Sequence, residues 1–333
     1  MNRLLSGISL SLMLAAQASC AWADGVSLRP EVRQFVDQMV SKHQFNRSEL
    51  IALLGQVQPR QDIIAAITKP AEAKPWFQYR PIFINDARIQ GGVDFWNQYE
   101  TLLARAQTAY GVPPEIITAI IGVETRYGKN TGTFRVLDAL YTLGFDYPPR
   151  SLFFLSELEN YLLLAREEAM DPLLLQGSYA GAMGQPQFMP SSYRKYAVDF
   201  DGDGARDLWQ SVPDIIGSVA SYFNAFGWQA GQPVVARAQV NGEEFKGLTG
   251  NITPSITVAS LKQKGITIAD DLVPDQLGAL LEYQGASNLE YWVGLQNFYV
   301  ITRYNRSPLY AMAVYQLAQE IRALHGAQRG RGK

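Results

Sequence analysis

Pro113-Pro-Glu-Ile-Ile-Thr-Ala-Ile-Ile-Gly-Val-Glu-Thr-Arg-Tyr-Gly128 is the stretch around which the rest of the chain is read. Two prolines open it and a glycine closes it. That asymmetry marks a helix, because the first turn needs no N–H donor and the residue past the last turn often takes a left-handed conformation. Ile117, Ile120, Ile121 and Glu124 recur at i, i+3, i+4 and i+7, so one carboxylate shares a face with three isoleucines. Apolar surroundings disfavour the charged form, and the last helical turn lies at the negative end of the helix dipole. Both effects raise the pKa of Glu124, which is what a general acid working near neutral pH requires. The same pattern also fits a structural role, with Glu124 paired to a buried arginine or capping a neighbouring helix.

Outward from this helix the texture is mostly helical. Val32, Phe35, Val36 and Met39, then Leu50, Leu53 and Leu54, follow helical spacing. A loop rich in proline and aromatics is expected around Trp76, Phe77, Tyr79 and Pro81, and helix again from about Val93 to Tyr110. Helices separated by Gly- and Pro-bearing loops continue to about Gly227. Residues 231–288 change character: short runs such as Val234 to Val240 and Asn251 to Val258 suit a small antiparallel sheet. Trp292 to Tyr304 is ambiguous between helix and strand, and Ala311, Val314, Leu317, Ala318 and Ile321 close the chain with an amphipathic helix. The expected fold class is therefore α+β and mainly α.

Composition narrows the chemistry. The 333 residues carry 29 Lys plus Arg against 31 Asp plus Glu, a net charge of −2 without the concentrated basic field of a nucleic-acid binder. Arg329, Arg331 and Lys333 form a basic tail read as a solvated terminus. Cys20 is the sole cysteine and only His43 and His325 represent histidine, near opposite ends of the chain, where both read as exposed helix surface. Thiolate, Cys-zinc and Ser-His-Asp mechanisms are thus poorly supported, and carboxylates must carry any cleavage chemistry. Arg3 followed by the apolar run Leu4 to Ala16 reads as a secretory signal, too short for a stable membrane anchor. Ala21-Trp22-Ala23 before Asp24 fits a cleavage site releasing a soluble periplasmic chain. Ala18-Ser19-Cys20 offers the alternative of a lipidated Cys20 tethering the protein to the outer membrane, although Gln17 stands where an apolar residue is usual.

Asp199-Phe-Asp201-Gly-Asp203-Gly204-Ala-Arg-Asp207 places carboxylates at positions 1, 3, 5 and 9 with glycine at 6, the EF-hand arrangement for a hard cation. Position 12 is Gln210 rather than the usual bidentate Glu. Calcium in a structural role is expected, because acidic groups at alternate positions repel one another without a cation.

Three ordered motifs then carry a resemblance. Gly122-Val-Glu-Thr-Arg-Tyr-Gly128, Gly177-Ser-Tyr-Ala-Gly-Ala-Met-Gly184 with Gln187-Phe-Met-Pro-Ser-Ser-Tyr193, and Ile301-Thr-Arg-Tyr-Asn-Arg306 resemble the lytic murein transglycosylase B family, glycoside hydrolase family 103. The resemblance spans nearly the whole chain after the signal. It implies a lysozyme-like core at 107–228, a small β domain at 229–288, and a flanking α domain contributed by 24–106 and 289–333, after a signal peptide at 1–23. It further implies an enzyme acting on peptidoglycan glycan strands, with no cofactor for catalysis. Glu124 would protonate the oxygen between N-acetylmuramic acid and N-acetylglucosamine, then accept the C6 hydroxyl proton as a 1,6-anhydro ring closes. A hydrolytic muramidase would commonly need a second carboxylate roughly 5 to 9.5 Å away. A binding protein without catalysis is the rival from another class. Ser178, Gln187, Tyr222, Tyr304 and Asn305 match positions contacting sugar, and Tyr79, Arg150 and Tyr310 match positions lining the groove. Asp214 matches the closing ligand of a longer, variant EF-hand. Pro149 stands where the family has the first of two arginines, and Pro186 where a small flexible residue is expected.

Overall fold

The computed structural model describes residues 28–69, 74–269 and 271–331. The expected signal segment, with Cys20 and its alternative cleavage site, and Lys333 lie outside the described residues. In chain order the helices are α1 (Pro30–His43), α2 (Arg47–Leu54), α3 (Gln61–Thr68), α4 (Trp76–Phe83), α5 (Asp86–Gln98), α6 (Glu100–Tyr110), α7 (Pro114–Thr125), α8 (Val136–Asp146), α9 (Ser151–Glu167), α10 (Pro190–Tyr196), α11 (Val212–Ala225), α12 (Val258–Gln263), α13 (Gln296–Tyr304) and α14 (Pro308–Arg331). The strands are β1 (Phe134–Arg135), β2 (Gln176–Gly177), β3 (Val235–Val240), β4 (Ile256–Thr257), β5 (Ile266–Ile268), β6 (Leu277–Gln284) and β7 (Leu289–Gly294). The fold is α+β and mainly α, as the sequence indicates.

Two compact units divide the chain, 1–57 and 58–333. The described part of the first is α1 and α2. In α1, Val32, Phe35, Val36 and Met39 are buried at the expected spacing. Asn46 starts α2 by accepting the amides of Ser48 and Glu49 through its side chain.

The second unit is organised around α7, which packs against α5, α6, α11 and α14. The sequence suggests one apolar stripe, yet Ile116, Ile117, Ala119, Ile120, Ile121 and Val123 are all buried. A helix apolar on every side is a central helix, and it is covered on every side. Each isoleucine so placed contributes roughly 1.5–3 kcal/mol. The small sheet is antiparallel in the order β4-β6-β7-β3-β5, with Ala236, Ala238, Leu280 and Val293 packed against Val258 and Leu261 of α12. The ambiguous stretch from Trp292 is both things in turn. It ends β7 at Gly294 and then, after Leu295, becomes α13.

Other local expectations need correcting. Trp76 to Phe83 is a helix and not a loop, despite Pro81 inside it. Buried Trp76 anchors it on Tyr283 with ring centroids 5.3 Å apart, and Tyr79 packs on Phe83 one turn later at 5.2 Å. These contacts outweigh the backbone hydrogen bond that Pro81 forgoes. The single helix expected at 93–110 is two, α5 and α6, and α5 begins at Asp86 after the cap Asn85, whose side chain accepts the amide of Arg88. His325 is buried, not exposed, and stacks on Trp96 at 4.2 Å. His43 is half-buried in the last turn of α1. In the basic tail, Arg329 is part of α14 and pairs with Glu100 at 2.7 Å.

Candidate active site

Glu124 occupies the last turn of α7, half-buried, with its carboxyl at the edge of the isoleucine core. Tyr310 of α14 donates a hydrogen bond of 2.5 Å to its Oε1. Burial pushes the Glu124 carboxyl up to about 7, a rise that the Tyr310 hydrogen bond only partly opposes. No acidic neighbour among the described residues contributes to that shift. The surrounding groups are phenols. Burial, reinforced by the nearby Glu124 charge, pushes Tyr79, Tyr304 and Tyr310 above the ordinary tyrosine range, so all three are neutral donors near pH 7.

The end of α7 is held by residues that sequence reasoning missed. Arg88, buried on α5, donates from Nη1 to the carbonyls of Gly122 at 2.8 Å and Val123 at 3.2 Å. It thereby supplies a donor to the Val123 carbonyl at the helix terminus and a second one to Gly122, which also accepts the Arg126 amide. Tyr127 donates to the carbonyl of Arg88 at 2.7 Å. Its ring lies so close to Gly122 that a Cβ there would meet the phenol oxygen at 2.5 Å. Thr125 donates to the carbonyl of Gln185 at 2.9 Å, which ties the helix to the next loop. Arg126, Tyr127 and Gly128 all take left-handed φ, turning the chain sharply behind the carboxylate. Only the Asn85 cap was a readable signal for Arg88; the partners of Thr125 and Tyr127 are tertiary.

The loop from Gln176 to Phe188 forms one wall. β2 pairs with β1, and bridges Gly177–Met183 and Met183–Phe188 fold the loop on itself. Gly132 lies against this turn at φ +97°, where a Cβ would overlap the Gly177 carbonyl. Ser178 accepts the amides of Ala180 and Ala182 through Oγ and so braces the turn. The Gln187 amide donates to the carbonyls of Thr131 and Gly184, both at 3.0 Å, which leaves its Oε1 as the acceptor. Tyr304 donates to the Pro186 carbonyl at 2.6 Å, so the proline that departs from the family pattern still offers an anchoring acceptor. Tyr222 packs on Tyr304 at 4.8 Å and donates to the Arg303 carbonyl at 2.6 Å. Asn305 is exposed and accepts the amide of Ser307, just before α14 brings in Tyr310. Arg150 is exposed, with its guanidinium 4.4 Å from the Phe153 ring, and makes no hydrogen bond or ring contact with the tyrosines around Glu124.

In the acidic loop, Asp199, Asp201 and Asp214 bring carboxylate oxygens within 4.8 Å of one another. Asp214 is fully buried and accepts the amides of Phe200 and Asp207, at 2.7 and 2.9 Å. Its carboxyl is pushed up by burial. Hard carboxylate oxygens gathered in this way fit a calcium ion. Asp203 and Asp207 stand apart from that cluster. Asp203 accepts the amide of Ala205 and Asp207 those of Trp209 and Gln210, so both hold turns.

The family model for the transglycosylase SLT domain matches residues 27–319. The chain belongs to this family. Within the transglycosylase SLT family it is 48% identical over 302 residues to the membrane-bound lytic murein transglycosylase B of Escherichia coli K12, covering 88% of this chain and 82% of that one. The catenated lytic transglycosylase SltB1 of Pseudomonas aeruginosa has 54% identity and a TM-score of 0.87, over 90% of this chain and 99% of that one. Escherichia coli Slt35, solved in complex with calcium, has 47% identity and a TM-score of 0.83, over 89% and 94%. Membership makes the chain an enzyme, a lytic transglycosylase on a lysozyme-like fold.

Proposed function

We propose that this lytic transglycosylase cleaves the β-1,4 bond between N-acetylmuramic acid and N-acetylglucosamine in peptidoglycan, with Glu124 acting first as acid and then as base. The raised pKa of Glu124 carries the reading, because at about 7 the carboxyl can hold and release a proton in turn. Tyr310 donates to Oε1, which leaves Oε2 to carry the proton. That proton passes to the glycosidic oxygen as the bond to C1 breaks. Glu124, now a carboxylate, takes the proton of the C6 hydroxyl while its oxygen bonds to C1. The products are a free 4-hydroxyl and a 1,6-anhydro ring, and no water is consumed. One carboxylate suffices, in keeping with the absence of an acidic contributor beside Glu124 among the described residues.

Tyr79 and the free Oε1 of Gln187 supply a donor and an acceptor near Glu124, while Tyr304, its hydroxyl given to Pro186, joins Ser178, Tyr222, Asn305 and Arg150 in shaping or extending the groove. Calcium sits with Asp199, Asp201 and Asp214 and pins the 199–214 loop ahead of α11. Asp203 and Asp207 serve it through turn geometry. The core at 107–228, the β part at 229–288 and the α parts on either side remain the division that suits these roles.

Export by residues 1–23 places the enzyme in the periplasm, where its glycan substrate lies. Intact-mass measurement of the mature chain distinguishes release at Asp24 from a lipidated Cys20 tethered to the outer membrane. No described helix is long and apolar enough to cross a membrane. The catalytic reading is tested by mass spectrometry of fragments released from purified sacculi. Anhydro ends are expected from the wild type and none from Glu124→Gln; predominantly reducing ends would identify a hydrolytic muramidase instead.

A further inference from the structure

The two faces of the small sheet differ. Side chains alternate along a strand, so while Ala236, Ala238 and Val293 pack into the core under α12, Arg237 and its cross-strand partner Trp292 share the opposite face with Glu290. There they meet α4 and α14 around a cleft of about 590 Å³, whose walls include Trp76, Phe77 and Tyr315. A second cleft of about 410 Å³ shares Tyr315 and Gln319 with the first, so the two adjoin along α14. Its walls include Trp228 and, at the start of α7, Glu115. That residue lies roughly 13 Å along the helix axis from Glu124. None of the residues placed around Glu124 lines either cleft.

The lining charges pair off. Arg237 meets Glu290 at 3.1 Å, Arg322 meets Glu115 at 3.6 Å and Arg80 meets Glu320 at 3.9 Å. Arg80 also donates to the Gln316 side chain at 2.7 Å. The groove therefore carries no net charge and has no field to gather an anion or a cation. Between the paired groups lie aromatic surfaces. Phe77 is exposed, and Trp292 has the Arg237 guanidinium 4.6 Å over its ring and Tyr315 edge-on at 6.4 Å. Apolar ring faces set among planar donors and acceptors complement a neutral sugar, whose C–H faces are apolar and whose rim is hydroxyl and amide. The buried indole Nε1 of Trp292 has no acceptor among the described residues, and a hydroxyl or N-acetyl carbonyl is an acceptor of the kind it lacks.

We propose that this groove is a second glycan-binding site, separate from the catalytic one, which holds the neutral amino-sugar backbone of peptidoglycan and keeps the enzyme on the wall between cleavage events. The identity of the polymer rests on the peptidoglycan reading above, and the test keeps the two apart. Glycan strands stripped of peptide by an amidase are added to the Glu124→Gln protein, and backbone hydrogen exchange is followed by mass spectrometry. Slower exchange is expected at 76–81 and 285–290 as well as around position 124. Adding Phe77→Ala, at an exposed position where folding is not at risk, should weaken strand binding roughly fivefold, the scale of one lost aromatic contact. Trp292→Ala should do the same and abolish the protection at 285–290, with melting temperatures verifying the fold of both variants. Because the groove is neutral, the affinity lost in the variants should be equal at low and high salt. Protection confined to the surroundings of position 124, equal strand affinity in parent and variants, or a loss that vanishes in salt overturns the second site. Catalysis is scored separately, as anhydro ends released by the active enzyme from a tetrasaccharide too short to reach both sites. That rate should be unchanged by Phe77→Ala, and a wild type that releases no such ends counts against the catalytic reading alone.

Discussion

Tyr310 Oη donates to Glu124 Oε1 at 2.5 Å across 186 positions of sequence, joining the last helix of the chain to the carboxyl at the end of its central one. The bond favours the ionised carboxylate, while burial favours the protonated acid. Their balance leaves Glu124 at about 7, where both of its proposed roles are accessible.

Tyr310→Phe removes only the opposing influence. The Glu124 pKa then rises further, by about one unit if the hydrogen bond is worth ~1.4 kcal/mol. The pH profile of kcat/KM for anhydro-end release should move to higher pH by that amount. An unmoved profile would show that Tyr310 does not act on Glu124.

Glu124→Gln should stabilise the fold, but only at high pH. The folded carboxyl titrates at about 7 and the unfolded one near its ordinary 4.5. Between these values the folded state binds the extra proton, so wild-type stability falls as pH rises through this window and is fully reduced above 7. Glutamine carries no such dependence. Urea unfolding at pH 8 should show Glu124→Gln ahead by about 3 kcal/mol, with the advantage shrinking toward zero near pH 4.5.

Calcium should raise the melting temperature by about 5 °C when present at a hundred times its dissociation constant, which corresponds to ~2.7 kcal/mol. Asp199→Asn should abolish this gain, since Asp199 is one of the three clustered carboxylates. Asp203→Asn should keep more than half of it, since Asp203 lies outside the cluster of three carboxylates. Equal losses in the two variants would return Asp203 to the ligand set.

Arg88→Met takes the side-chain donor from the Val123 carbonyl at a buried helix end and one of two donors from Gly122, whose carbonyl still accepts the Arg126 amide. A loss of about 3 kcal/mol in urea unfolding is expected for two hydrogen bonds to a buried charged donor. Because the same helix end carries Glu124, kcat should fall even at temperatures where the variant is fully folded; unchanged kcat in the folded variant would confine Arg88 to stability.

Much of the molecule is legible without coordinates because its signals are local. Prolines at 113 and 114, the isoleucine spacing and Glu124 at its end mark α7 through backbone chemistry and periodicity alone. The Val- and Thr-rich runs after residue 231 announce the sheet, and the spacing of Asp199, Asp201 and Asp203 announces a cation loop. Where several local signals compete, the reading stalls. Pro81 argues against a helix that Trp76 and Tyr283 nevertheless hold in place. Alternate aspartates cannot reveal which of them face one another.

The sequence by itself determined that a carboxylate would end a helix on its isoleucine face, and that thiol and histidine chemistry had little to draw on. It could not determine that carboxylate's pKa, which depends on Tyr310 and on the atoms packed around it. Nor could it show that Asp199, Asp201 and Asp214 gather their carboxylates, or that Arg88 closes the helix that carries Glu124. Helical periodicity and caps are short-range properties of the chain. Desolvation, charge proximity and long-range hydrogen bonds depend on distances that exist only after residues such as 88, 124 and 310 have been brought together.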